Sequence, residues 1–175
     1  MTANRQMQKI YFDGKKVVVE YVVIGDKGQR DEHKVTCQDI PKASFIAAIE
    51  ALRPVALELV EAPPEWDIEV RGVSLRWTTP DQGEPTFGCV IKSVRPLETS
   101  GRPLVLNTPY KAEQVDGDGE DAPSEYCLSP EQAAVVGDLV NEAWAYIDGD
   151  RAQGTLPFGE PGGEDDDDED EQDAG

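Results

Sequence analysis

The sequence has one histidine, His33, and three widely spaced cysteines, Cys37, Cys89 and Cys127. No Cys-x-x-Cys pair occurs, and one imidazole with scattered thiols cannot fill a four-ligand zinc site. The odd cysteine count argues against a disulfide framework and for three reduced, mostly buried thiols in a cytosolic protein. A Ser-His-Asp or Cys-His arrangement would depend wholly on His33, which sits in the charged stretch Arg30–Lys34 and reads as an exposed strand residue. There is no Walker-type Gly-x-x-x-x-Gly-Lys and no Gly-x-Gly-x-x-Gly. Gly117–Gly119 lies among Asp116, Asp118, Glu120 and Asp121, which would repel phosphate and do not follow the spacing of a calcium loop. No stretch approaches the ~18 consecutive apolar residues of a membrane helix. The N-terminal MTANRQMQKIYF lacks the apolar core of a signal peptide. These absences argue against an enzyme, a metal or cofactor site and a membrane protein.

What is abundant is negative charge, unevenly placed. The 175 residues carry 16 Lys+Arg against 36 Asp+Glu, a net charge of -20. Residues 1–111 hold 15 basic and 15 acidic side chains, whereas residues 112–175 hold 1 basic and 21 acidic ones. A neutral globular body followed by an anionic C-terminal third is the organisation this implies.

Within the body, Gln8–Phe12 and Lys16–Ile24 read as strands joined at Asp13-Gly14, a hairpin signal. Both faces of the second strand are largely apolar, which predicts a central strand covered on both sides. Arg30–Thr36 reads as a polar strand near an edge. Pro41–Glu61 changes to helical spacing, with Phe45, Ile46, Ile49, Leu52 and Val55 on one stripe. Pro54 predicts a kink or two shorter helices there. Trp66–Thr78 and Thr86–Leu97 form a longer hairpin. A bulge at Arg71-Gly72 would bring Trp66, Ile68 and Val70 into phase with Val73, Leu75 and Trp77. Pro103–Leu106 adds a short strand, and Asp116–Pro123 reads as an acidic loop. Ser129-Pro130-Glu131-Gln132 opens a second helix through a capping box, with Ala133, Val136, Val140, Ala143, Trp144 and Ile147 as its buried stripe. The expectation is one α+β domain over residues 6–149: an antiparallel sheet of five or six strands with two helices packed on it. Residues 150–175 lack apolar periodicity, and Glu164–Asp173 is almost wholly acidic. That tail is expected to be disordered when alone.

One motif in the tail carries specific information. Arg151-Ala152-Gln153-Gly154-Thr155-Leu156-Pro157-Phe158 places a glutamine and two apolar anchors at fixed offsets on a polar segment, the pattern of a peptide ligand. Gln153, Leu156 and Phe158 match the Q-x-x-L-x-F spacing, and the segment resembles the bacterial sliding-clamp-binding peptide. Gly154 stands where that peptide usually has leucine, and Pro157 replaces a more common small or polar residue. The run Val70–Leu75, the segment PLVLNTPY (Pro103–Tyr110) and the ending Arg151–Phe158 resemble a family of small proteins from phage and prophage DNA-metabolism regions. The resemblance implies a role in replication or recombination inside a bacterial host cell. The acidic run is similar to the tails of single-strand DNA-binding proteins, which compete with DNA for the protein's own basic groove.

A groove of that kind would lie on the sheet face bearing Arg71, Arg76, Lys92 and Arg95, with Trp77 or Tyr110 as a stacking platform. The function expected from these features is non-enzymatic: an accessory protein that holds single-stranded DNA and is tethered to a sliding clamp through Gln153, Leu156 and Phe158. The alternative is an adaptor or inhibitor whose acidic third mimics DNA. Candidate partners are single-stranded DNA, the clamp and further copies of the chain.

Overall fold

The computed structural model describes residues 4–79, 83–114 and 127–152. The acidic loop expected at Asp116–Pro123 and the segment from Gln153 onward, including Leu156 and Phe158, lie outside the described residues.

The chain opens with three antiparallel strands, β1 (Asn4–Phe12), β2 (Val17–Ile24) and β3 (Arg30–Cys37). The β1–β2 turn is fixed by its own chemistry: the Asp13 carboxylate accepts from the amides of Lys15 and Lys16, and Gly14 takes a positive φ of 87°. These two amide donors hold the Asp13 carboxyl below its usual range. Two short helices follow, α1 (Ala43–Glu50) and α2 (Leu52–Leu59). The expected break occurs upstream of Pro54, at Ala51. Proline has no N–H to give the Glu50 carbonyl, and its ring crowds that same carbonyl.

The long hairpin is β4 (Glu69–Thr78) against β5 (Thr86–Arg95). Next come β6 (Leu104–Asn107), β7 (Lys111–Glu113), β8 (Cys127–Leu128) and the helix α3 (Pro130–Ile147). The sheet order is β3-β2-β1-β4-β5-β7-β8, with β6 also paired to β5. The architecture is α+β, as the sequence predicts, but the sheet has eight strands among the described residues where the sequence reading gives five or six. The additional pairings come from β7 and β8, three and two residues long, too short to show a period. Their mutual pairing is parallel, the exception in an otherwise antiparallel sheet.

The three helices among the described residues all pack on one face of the sheet. Phe45, Ile49, Leu52, Val55, Leu59, Val136, Leu139 and Ala143 meet Met7, Ile10, Val19, Val73, Leu75, Cys89 and Ile91 in one core. The capping box at Ser129 and Gln132 forms as its sequence implies. β2 is not the centre of the sheet: it is second from the β3 edge, and no helix covers its far face among the described residues. Its second apolar face nevertheless buries Val18 and Val22, which lie across from Tyr11 and Gln6 of β1.

Two backbone details carry most of the constraint. The bulge predicted at Arg71-Gly72 is present: Val70 pairs with Ser93, Gly72 pairs with Lys92, and Arg71 is the extra residue. β1 approaches so closely there that a Cβ on residue 72 would lie 1.9 Å from the Ile10 carbonyl oxygen. At the end of α2, Glu61 has φ 54° and occupies the left-handed position of a Schellman turn, where glycine is usual. The amides of Glu61 and Ala62 donate to the carbonyls of Glu58 and Leu57.

Glu61→Gly is therefore expected to raise stability by about 1 kcal/mol, because it relieves a left-handed side-chain conformation. Gly72→Ala should cost about 3 kcal/mol or more, since the obstacle is backbone and cannot rotate away. Urea midpoints of the two variants against the parent chain check both. A Gly72→Ala chain as stable as the parent would contradict the close β1–β4 approach.

Candidate nucleic-acid interface

Strand parity sorts the sheet's side chains into two sets. Because of the bulge, Ile68, Val70, Val73 and Leu75 all turn toward the helices and are buried. Ser74 and Arg76 turn the other way, across from Val90 and Gly88 of β5. Arg71 shares their face and pairs with Glu69 at 3.0 Å. Lys92 sits on the same face between Gly72 of β4 and Asn107 of β6, and among the described residues it forms no ion pair. Arg71, Arg76 and Lys92 thus come together as the alternation suggests.

Arg95 and Trp77 fall elsewhere. Arg95 is two residues beyond the buried Ser93, shares its parity, and stacks its guanidinium 4.0 Å above the Trp66 ring. Trp77 packs on the helix side against Phe87, with ring centroids 5.6 Å apart. Its indole N–H donates to the Met7 carbonyl at 2.6 Å, where the β1 ladder shifts register between Met7 and Lys9. The bulge itself puts Trp77 in phase with Val73 and Leu75, on the face opposite Arg76, so Trp77 is no stacking platform on the open face. The structure uses Trp77 as a structural bridge between β1 and β4.

The exposed aromatic on the open face is Tyr110, 49% exposed. Thr108 continues the β6 ladder: its amide donates to the Ile91 carbonyl, and its buried hydroxyl accepts from the Ile91 amide. Past Thr108 the pairing with β5 shifts by one residue, and the chain rejoins it where Lys111 pairs with Cys89. That step throws the Tyr110 ring across Gly88. A Cβ on residue 88 would fall 2.1 Å from the tyrosine hydroxyl oxygen and 2.3 Å from Cζ. The Arg76 guanidinium lies 5.8 Å from the Tyr110 ring centroid, within cation–π range. Gly88 therefore makes the room, the register shift between Thr108 and Lys111 sets the position and Arg76 flanks the ring.

Two contributors escape a reading of spacing alone. Lys9 faces outward opposite Ser74, and Lys34 lies across from Glu20; both lysines flank the Glu20 carboxylate, at 3.8 and 3.2 Å. The β1 register shift hides the parity of Lys9, so only the paired strands reveal it. Among the described strand residues of this face, Arg30, Lys9, Lys34, Arg71, Arg76 and Lys92 outnumber Glu20, Glu32 and Glu69. The local balance is cationic in a chain whose total charge is -20.

The other residues of chemical interest are engaged elsewhere. His33 stacks on Tyr21 at 4.9 Å in the edge strand. Cys89 is fully buried, and burial, with the nearby Glu113 carboxylate, pushes its thiol up to about 12. Among the described residues no group of three or more His, Cys, Asp or Glu side chains is placed to hold a metal.

The root of the C-terminal segment is built more firmly than its sequence suggests. Arg151 donates to the Asp39 carboxylate at 2.5 Å, to Cys37 Sγ at 3.3 Å and to the Tyr146 carbonyl at 3.2 Å. Its guanidinium also lies 4.6 Å from the Tyr146 ring centroid. The hydrogen bond from Arg151 holds the Asp39 carboxyl below its usual range, with Cys37 adding to the effect. The Tyr146 hydroxyl donates to the Asp39 carbonyl, and Lys42 pairs with Asp150. The Ala152 amide then donates to the Ile40 carbonyl. No periodicity marks Arg151, since a single cation in an acidic region gives no pattern. The structure pins the chain to the β3–α1 loop one residue before Gln153. No helix among the described residues is long and apolar enough to cross a membrane. No protein-family model, curated protein or solved structure matches this chain.

Proposed function

We propose that this protein is a non-enzymatic accessory factor that lays single-stranded nucleic acid, DNA in the leading case, across the helix-free face of its sheet. The observation that carries the reading is the Arg76–Tyr110 pair above Gly88, on a face where cations exceed carboxylates. A half-exposed aromatic ring offers a stacking surface to any base, and Arg76 and Lys92 supply charge for the backbone beside it. Because the cations are few, the affinity is modest and its salt dependence shallow. Phage-type replication or recombination is the context suggested by the sequence resemblance, with a bacterial cytoplasm as the setting.

The same reading assigns Gln153, Leu156 and Phe158 to a sliding-clamp pocket. It is supported by the Q-x-x-L-x-F spacing and by the anchored residues Arg151 and Ala152, which fix the start of the peptide at the domain surface. The acidic run Glu164–Asp173 would compete with the nucleic acid for the sheet face.

Fluorescence anisotropy with a labelled single-stranded oligonucleotide at low salt tests the first part. Tyr110→Ala should weaken binding by the ~1–3 kcal/mol of one lost base stack, and Arg76→Ala should lower both affinity and salt slope. Gly88→Ala should reproduce much of the Tyr110 defect by displacing the ring, at little cost in stability, because a side-chain tip is what yields. Removing residues 160–175 should tighten binding. No anisotropy rise in either the full or the shortened chain removes the nucleic-acid reading and favours the DNA-mimic alternative. For the tether, Leu156→Ala combined with Phe158→Ala should abolish clamp pull-down with the thermal midpoint unchanged. Retained pull-down in that double variant would defeat the tether.

A further inference from the structure

Five large apolar side chains stand exposed among the described residues, and two of them, Leu104 at 42% and Val105 at 64%, are neighbours on β6. Among the described residues β6 pairs with β5 alone. Hydrogen-bond alternation shows what its other side presents. The Thr108 amide donates to the Ile91 carbonyl, so residues 108, 106 and 104 turn their backbone groups toward β5. Val105 and Asn107 therefore turn their N–H and C=O groups outward.

The far edge of the sheet is managed differently. β3 carries Arg30, Asp31, Glu32, His33 and Lys34 in succession, a charged edge of the kind that resists pairing. β6 reads Leu-Val-Leu-Asn and carries no charge. From these contrasts we propose that β6 is a self-association edge: two copies of the chain pair their β6 strands antiparallel about a twofold axis and join their sheets.

A second copy is the occupant the charges favour. Uncharged strands can meet about a twofold without setting like charges opposite one another. The chain beyond Ala152 contains 10 acidic residues and no basic one, yet it starts beside Ile40, at the β3 end of the sheet. Five strand spacings separate β3 from β6, about 24 Å, which is several Debye lengths at physiological salt. The roots of the two acidic segments therefore lie at opposite outer ends of the joined sheet.

A four-residue edge with three apolar side chains buries less than the ~1,200 Å² of a standard stable interface, so the pair belongs to the transient class. A twofold perpendicular to the sheet keeps both open faces on the same side. The two β5 strands then run about 14 Å apart, three spacings, and bring both copies of Lys92 and Tyr110 onto one continuous surface. The pairing does not depend on what that surface binds, so its test needs no nucleic acid.

Sedimentation velocity of the full chain over a wide concentration range should show the weight-average mass rising from 19.2 kDa toward twice that value, with Kd in the range of ~10–100 µM. Val105→Lys should weaken the association by about tenfold or more. Val105→Pro removes an outward N–H while sparing the bonds to β5, and it should do the same. Hydrogen exchange on the parent chain gives a readout that needs no variant: the amides of Val105 and Asn107 should gain protection as concentration rises. A chain that stays at 19.2 kDa throughout, or one that dimerises without protecting those two amides, overturns the proposal. The first result would leave the edge to a strand from a different protein.

Discussion

The close crossing of β1 over the Gly72 bulge is the constraint from which the rest of the sheet follows. Only a residue without a side chain lets the Ile10 carbonyl sit where it does. Because it does, β1 and β4 pair at the middle of the sheet, and the extra residue Arg71 resets the parity of β4. That reset lets the two apolar triplets of the strand serve one core while Arg76 turns toward solvent. A strand of unbroken parity would place Ile68 and Val70 on the opposite side from Leu75. One glycine thus decides which side chains build the interior and which form the cationic face.

The open face is organised by what is missing as much as by what is present. Gly88 has no side chain, and the strand register on β5 skips one residue between Thr108 and Lys111. The first leaves a shallow seat on β5, and the second separates β6 from β7. Tyr110 occupies the result. Together they present an aromatic ring to solvent, whereas Trp77 and Phe87 at the end of the long hairpin pack toward the core.

Much of the framework was legible in the sequence. The Asp13-Gly14 turn, the Arg71-Gly72 bulge and the Ser129–Gln132 capping box are local devices, and each is encoded within four residues. The interruption around Pro54 is local too, although its position at Ala51 follows from the acceptor four residues back. What could not be read was non-local. The two shortest strands have no period, and their places depend on where β5 leaves an edge open. The sides taken by Trp77 and Arg95 are local instead: the bulge puts Trp77 in phase with Val73 and Leu75, and Arg95, three residues from Lys92 in a regular strand, falls on the opposite face. Arg151 was unreadable because its partners Asp39 and Cys37 lie 112 and 114 positions away. The cationic balance of the open face was hidden as well, because a neutral total says nothing about how charges divide between two faces.

The anchoring of Ala152 to Ile40 has a geometric consequence. From that fixed point Phe158 is six residues away, a span of at most ~20 Å even for a fully extended backbone. A protein seated on Leu156 and Phe158 would therefore be held within a few nanometres of the β3–α1 corner. It would stand beside the sheet's charged rim, with β5 and its tyrosine several strands farther on. On the proposed function the molecule would be an outrigger: cargo and mooring would occupy different flanks, and each could be engaged while the other is full.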